Sequence, residues 1–329
     1  MQRAKFYQAK WLKLCGLVVG TFIAGAAWAQ SWPTRSVRIV VPFSAGGAVD
    51  TLARLIAARL TESLKQPIII DNRPGAGGNL GTDLVAKAPA DGYTVLQTTN
   101  GHTISPALFK KLPFDVLRDF APVTQLVSSA MIMIGSNKLP ASSVSELLAL
   151  ARAKPGALNY GTTGVGNPLH LTMELFKLST NVNMTMVPYK GDAPLIAAML
   201  AGELDFAVVP LATSITNVRA GKVKALAITT AQRTPVFADL PTIAESGVPG
   251  FEASSWQGYF VPAGTPREII VRLREETARV LALPEVRERQ AGFGNQVVGS
   301  TPEQFDVRVR SDVESFARVI RDAKIPQQE

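Results

Sequence analysis

The sequence predicts an α/β protein with parallel sheets and enough chain for two lobes. Two observations carry this. Apolar runs of strand length alternate with amphipathic helical patterns along most of the 329 residues, the pattern of strands laid side by side with helices on the sheet faces. In addition, glycine-rich turns join a strand to a helix at two widely separated places.

The N-terminus stands apart from the fold. Arg3, Lys5, Lys10 and Lys13 form a basic region, Leu14 to Ala26 is apolar and uncharged, and Ala27-Trp28-Ala29 gives a small–x–small cleavage pattern. The apolar run is shorter than the roughly 20 residues of a membrane span. Residues 1–29 are therefore expected to be a signal peptide cleaved after Ala29, with the mature protein in the periplasm and not embedded in a membrane. Cleavage removes four of the 34 basic residues and none of the 26 acidic ones, leaving 30 against 26, a net charge of +4. With no cluster of basic residues interleaved with aromatics, nucleic acid is excluded as a partner. The single cysteine, Cys15, lies in the signal, which excludes disulfides and thiol catalysis from the mature chain. The two histidines, His102 and His170, have no metal-ligand spacing. No metal or cofactor is expected.

Strands are expected at Val37–Val41, Ile68–Ile70, Thr94–Thr98, Met131–Ile134, Met184–Val187, Phe206–Val209 and Ala225–Ile228, each a short run rich in buried-strand residues. Helices are expected at Thr51–Leu64, Leu80–Ala88, Val144–Ala153, Pro168–Leu178, Pro194–Ala201 and Thr213–Ala220. Ser143 with Glu146, Thr265 with Glu268 and Thr301 with Gln304 have the capping-box spacing, the last two followed by proline. The helix from Thr265 should run to about Leu283. The one from Thr301 carries Phe305, Val309, Val313, Phe316 and Ile320 on one face and should pack on a lobe.

The two turns hold the chemistry. After the first strand comes Pro42-Phe43-Ser44-Ala45-Gly46-Gly47-Ala48-Val49-Asp50; later comes Gly161-Thr162-Thr163-Gly164-Val165-Gly166-Asn167-Pro168-Leu169-His170. A strand–turn–helix of small residues aims backbone N–H groups and the positive end of a helix dipole at one spot, making an anion site without a fixed positive side chain. Asp50 reads as a helix-start residue or, alternatively, as a contact to a donor group on a ligand. Thr162 and Thr163 could donate to a carboxylate or simply shape the turn. His170 suits capping or ligand contact. Tyr189 and Asp205 border strand ends, which in open α/β sheets face the crevice. Trp256 could line the cleft or seal a lobe. Gly75 to Gly81 lacks the spacing of a dinucleotide fingerprint and reads as a structural turn. Ser44 lacks the first glycine of a nucleophile elbow.

Several stretches in series then resemble one family. These are Trp32-Pro33, Pro42-Phe43-x-Ala45-Gly46-Gly47-x-x-Asp50, Asp71-Asn72-Arg73-Pro74-Gly75-Ala76-Gly77-Gly78-Asn79, Ala90-Asp91-Gly92-Tyr93, Pro188-Tyr189-Lys190-Gly191, Asp239-Leu240-Pro241-Thr242 and Pro262-Ala263-Gly264-Thr265-Pro266. In this order they resemble the Bug-type (TctC-like) substrate-binding proteins of tripartite tricarboxylate transporters, over nearly the whole mature chain. The resemblance implies a two-lobed Venus-flytrap fold, with residues 30–126 and 229–329 in lobe 1 and 127–228 in lobe 2. It also implies one carboxylate held between the loops Phe43–Gly47 and Gly161–Gly166, largely by main-chain N–H groups. The expectation is a monomeric solute-binding protein, not an enzyme, that delivers a small organic carboxylate to membrane permease subunits. A ligand-presenting sensor is the alternative, and an exported hydrolase a more distant one.

Overall fold

The computed structural model describes residues 32–329; the expected signal peptide, Cys15 included, lies outside the described residues. The chain first lays down β1 (Val37–Val41), α1 (Ala48–Leu64), β2 (Ile68–Asn72), α2 (Asn79–Ala86), β3 (Thr94–Thr99), α3 (Gly101–Leu108) and β4 (Phe120–Ser129). Next come β5 (Met131–Gly135), α4 (Val144–Ala153), β6 (Asn159–Thr162), α5 (Pro168–Thr180), β7 (Thr185–Pro188), α6 (Asp192–Ala201), β8 (Phe206–Pro210), α7 (Leu211–Arg219) and β9 (Lys224–Ile228). It ends with β10 (Ser255–Pro262), α8 (Arg267–Ala282), α9 (Pro284–Gly292), β11 (Asn295–Val297) and α10 (Pro302–Asp322).

These elements form two lobes, each a sheet flanked by helices. The first sheet has six strands in the order β11-β4-β10-β3-β1-β2, and the second has five, β7-β6-β8-β5-β9. The chain crosses between sheets twice, through Ala130 from β4 to β5 and through residues 229–254 from β9 to β10. The expectation of parallel sheets needs correction, because both are mixed. β1 pairs parallel to β2 and β3, and β6 parallel to β7 and β8, as βαβ units require. The strands that carry the crossings, β4 with β10 and β5 with β9, run antiparallel to their neighbours.

β4 and β10 were not among the expected strands. Gln125, Ser128, Gln257 and Gly258 interrupt their apolar runs, yet β10 is buried along almost its whole length. Gly258 is required there because any added Cβ would collide with the Phe305 ring. Capping at Ser143 and Thr301 is as expected, with the Thr301 box complete on both sides. Thr265 departs from expectation. Its hydroxyl donates to the carbonyl of Pro262 at 2.7 Å, and α8 starts without a side-chain cap.

The apolar face of α10 does two jobs. Its first half sets Phe305 and Val309 against Leu96, Trp256 and Phe260 in the core of the first lobe. Its second half sets Val319 and Ile320 against Ile104 and Leu108 of α3 and Leu171 of α5. Trp256 is fully buried and donates to Asp312 at 2.7 Å, so it seals the lobe and does not line a cleft.

Candidate functional site

The strand registers put both glycine-rich turns on facing edges. In the first sheet Gln257 pairs with Thr99 and Ser255 with Ser129, so the C-terminal ends of β3 and β4 share an edge with the start of β10. In the second, Met131 pairs with Pro210, which sets the C-terminal end of β8, and of its parallel neighbour β6, at the edge where β5 enters. Since β4 runs into β5 through Ala130, these edges face each other. One turn follows β1 and the other follows β6.

In the first turn Ser44 to Gly47 are exposed and Phe43 is half-buried. Gly46 has φ +82°, open to glycine and strained for other residues. Its N–H donates to Asp50 Oδ2 at 2.8 Å, and Arg54 Nε donates to the same oxygen at 2.9 Å. Asn72 Nδ2 reaches both Asp50 Oδ1, at 3.0 Å, and the Phe43 carbonyl, at 3.1 Å. Asp50 is buried, and the bond from Arg54 outweighs the cost of burial, holding its carboxyl down from 3.8 to about 2. Both its oxygens are thus committed beneath the turn, where they hold the loop instead of facing a ligand. Gly47, at the start of α1, has no side chain to cap the helix, which leaves first-turn N–H groups free for an anion.

The second turn repeats the device. Gly166 has φ +79° and donates its N–H to His170 Nδ1 at 3.0 Å. A ring nitrogen that accepts carries no proton, so the proton sits on Nε2, which lies 3.5 Å from Glu174 Oε1. Glu174 in turn accepts from Tyr160 Oη at 2.6 Å and from Lys177 Nζ at 2.8 Å. Burial pushes the Glu174 carboxyl up, but the bonds from His170, Lys177 and Tyr160 together bring it down to about 2. Each loop therefore rests on a ladder of i, i+4 side chains: Gly46–Asp50–Arg54 in one, Gly166–His170–Glu174 in the other. The spacing was present in the sequence, and only the hydrogen bonds reveal its purpose.

The helix behind the second turn is not open in the same way. Asn167 caps the His170 N–H at 2.9 Å, and Pro168 has no N–H to offer. Free donors must come from the turn at Thr163 to Val165, where Gly164 has φ +137°. Thr163 Oγ1 accepts from Asn167 Nδ2 at 2.7 Å, leaving its own proton to donate. Thr162 is buried, and its carbonyl accepts from the N–H of Tyr189 at 2.7 Å, which brings Tyr189 beside the loop.

The remaining candidates lie elsewhere. Asp205 precedes β8 and accepts the Asn159 N–H at 2.7 Å. It therefore sits at the start of β6, with Thr162 at the other end of that strand, on the order of 10 Å away at about 3.3 Å per residue. It borders a strand end, but the wrong one. His102 is buried among Phe114, Phe120 and Phe260, with neither ring nitrogen partnered. Neither imidazole pairs with Ser44. A cavity of about 620 Å³, lined by Ser128, Ala130, Arg233, Ser254, Arg287 and Asn295 among others, holds none of the candidates. It adjoins β11 and the segment after β9, on the other flank of the crossing strands from the two turns.

The family model described as "Tripartite tricarboxylate transporter family receptor" (TctC) matches residues 52–325. The chain belongs to this family. BugT of Bordetella pertussis is 35% identical over 312 residues, covering 93% of this chain and 96% of BugT. Among solved structures, Rpa4515 of R. palustris, solved with adipate, is 39% identical with a TM-score of 0.77, covering 90% of this chain and 100% of its own. MatC from Rhodopseudomonas palustris, with bound malate, is 33% identical with a TM-score of 0.73, covering 88% and 100%. The TctC receptors are two-lobed solute-binding proteins, and this chain has their fold. Among the described residues, no helix is long and apolar enough to cross a membrane.

Proposed function

We propose that this TctC receptor binds a small organic carboxylate between the Phe43–Gly47 and Thr162–Gly166 loops, in the periplasm and as a monomer, and passes it to permease subunits. The strands put the jaw boundary at Ala130 and not at residue 127: residues up to Ser129 with Ser255 onward make one jaw, and Met131–Ile228, with Ile243, Val248 and Phe251 of the return segment packed on it, the other. The observation that carries the reading is the start of α1 without a side-chain cap, beside Gly46 pinned by Asp50. A carboxylate at such a helix start gains about 0.3–1 kcal/mol when exposed and up to ~2 when partly buried. Thr163 and the turn N–H groups of the second loop supply the opposite side. The adipate and malate in Rpa4515 and MatC are both small organic acids, and they support the assignment by similarity. Binding requires no chemical step, and neither imidazole is paired with Ser44.

Calorimetry on the mature protein with adipate, malate and their methyl esters tests this. The acids should bind at least tenfold more tightly than the esters, about 1.4 kcal/mol. Equal binding of acid and ester would refute a carboxylate clamp.

A further inference from the structure

We propose that the C-terminal strap, residues 325–329, is a working part of the binding site, with Gln328 a positioning residue for the second carboxylate loop. The inference rests on the functional reading above. After α10 the chain turns back along α3. Ile325 is buried beside Leu108 and Leu171. The main chain of Gln328 then bonds to the end of α3 and the residues after it: its N–H donates to the Leu108 carbonyl at 2.7 Å, and its carbonyl accepts from Lys110 N–H at 3.0 Å. Gln327 Nε2 donates to the Ala107 carbonyl at 3.1 Å, and Lys110 pairs with Glu329. All of these bonds anchor the strap to α3 and its C-terminal extension.

The Gln328 side chain points the other way. Its Nε2 donates to the carbonyl of Val165 at 3.2 Å, in the middle of the second loop. That carbonyl belongs to the same peptide group as the Gly166 N–H, which donates to His170. One peptide plane is therefore held at both ends, its oxygen by the strap and its N–H by α5. This peptide joins Val165 to Gly166, and Gly166, at φ +79° and without a Cβ, resists its rotation less than any other residue would. If this plane rotated, the Gly166 N–H would leave His170 and the turn from Thr163 to Val165 would lose the shape in which its N–H groups are held. Leu108 closes the same contact from below, since a Cβ on Gly166 would overlap its side chain. The strap thus fixes both the orientation of the loop and its place against α3.

Two readouts in full-length mature protein test this, with Gln328→Glu as the main variant. Glutamate keeps the shape but at neutral pH has no proton to donate to the Val165 carbonyl. The first readout is amide hydrogen exchange at Gly166 without ligand, which should accelerate about three- to tenfold, the worth of one ordinary hydrogen bond. The second is affinity for adipate, which should fall by a similar factor, mainly through faster dissociation. Arg310→Ala, which removes an exposed ion pair with Asp306 on α10 outside the strap, should leave both readouts at the wild-type value. Unchanged exchange in Gln328→Glu overturns the pinning. Faster exchange with unchanged adipate affinity overturns the positioning role. If the wild type binds neither adipate nor malate, the functional reading fails by itself, and positioning of a carboxylate loop falls with it, while the exchange result still decides the pinning.

Discussion

Asp50→Asn tests whether the first loop is held from below. The asparagine fills the same space but brings one acceptor oxygen where three donors, Gly46 N–H, Arg54 Nε and Asn72 Nδ2, now share two. At least one donor loses its partner, and the charge that draws in Arg54 is gone. A carboxyl that ionises near pH 2 instead of 3.8 contributes about 2 kcal/mol at neutral pH. Because Arg54 is half in solvent, about 1–2 kcal/mol is the better expectation. The sign follows from the folded carboxyl titrating below the unfolded one. Its contribution is complete above about pH 4 and disappears as pH falls toward 2. Urea unfolding of both proteins at pH 7 and at pH 3 should show the wild type ahead at pH 7 and the gap narrowing at pH 3. Glu174 titrates in the same range but is common to both proteins, so the difference isolates Asp50. Equal stability at pH 7, or a gap that does not change with pH, would refute the argument.

Two further outcomes follow from the same geometry. His102, surrounded by Phe114, Phe120 and Phe260, is pushed from 6.5 down to about 3 by burial; below pH 6.5 the unfolded chain takes up a proton that the folded one refuses, so about 2 kcal/mol of stability should be lost by pH 5. His102→Phe should flatten that slope in urea titrations at pH 7.5 and 5, and an unaltered slope would count against it. Gly166→Ala should weaken carboxylate binding and stability through both its positive φ and overlap with Leu108. Adding Leu108→Ala should relieve the overlap, worth about 1–3 kcal/mol, but not the backbone strain of about 1–2 kcal/mol; a double-mutant cycle with no coupling would show that the two residues do not touch.

The strand–helix alternation and both loops were legible because their signals are local. Val37–Val41 is apolar at every position but Arg38, and the loops advertise themselves by glycine. β4 and β10 were hidden because their partners are far away in sequence. Gln257 and Gly258 look unlike a buried strand until Gln97, which bonds to Gln257 at 3.2 Å, and Phe305 are set beside them. Sequence left the roles of Asp50 and His170 open between support of the two turns and contact with a ligand. Hydrogen bonds to the glycine one helical turn earlier decide for support in both cases. Asp205 misled because a strand has two ends, and only the register tells which one meets the other lobe.

The two ladders also set the electrical character of the proposed site. Neither loop segment, Phe43 to Asp50 or Gly161 to His170, contains a lysine or arginine. The carboxylates beneath them are each matched locally, Asp50 by Arg54 and Glu174 by Lys177. On the proposed reading, what these two segments themselves offer an anion is a set of oriented dipoles with almost no net charge. Dipoles act over the length of a bond and not over a Debye length. A site of the proposed kind would hold its ligand by contact more than by long-range attraction, and its capture would depend little on the ionic strength around it. A receptor that grips in the proposed way would keep its affinity whether the medium around it is fresh or saline.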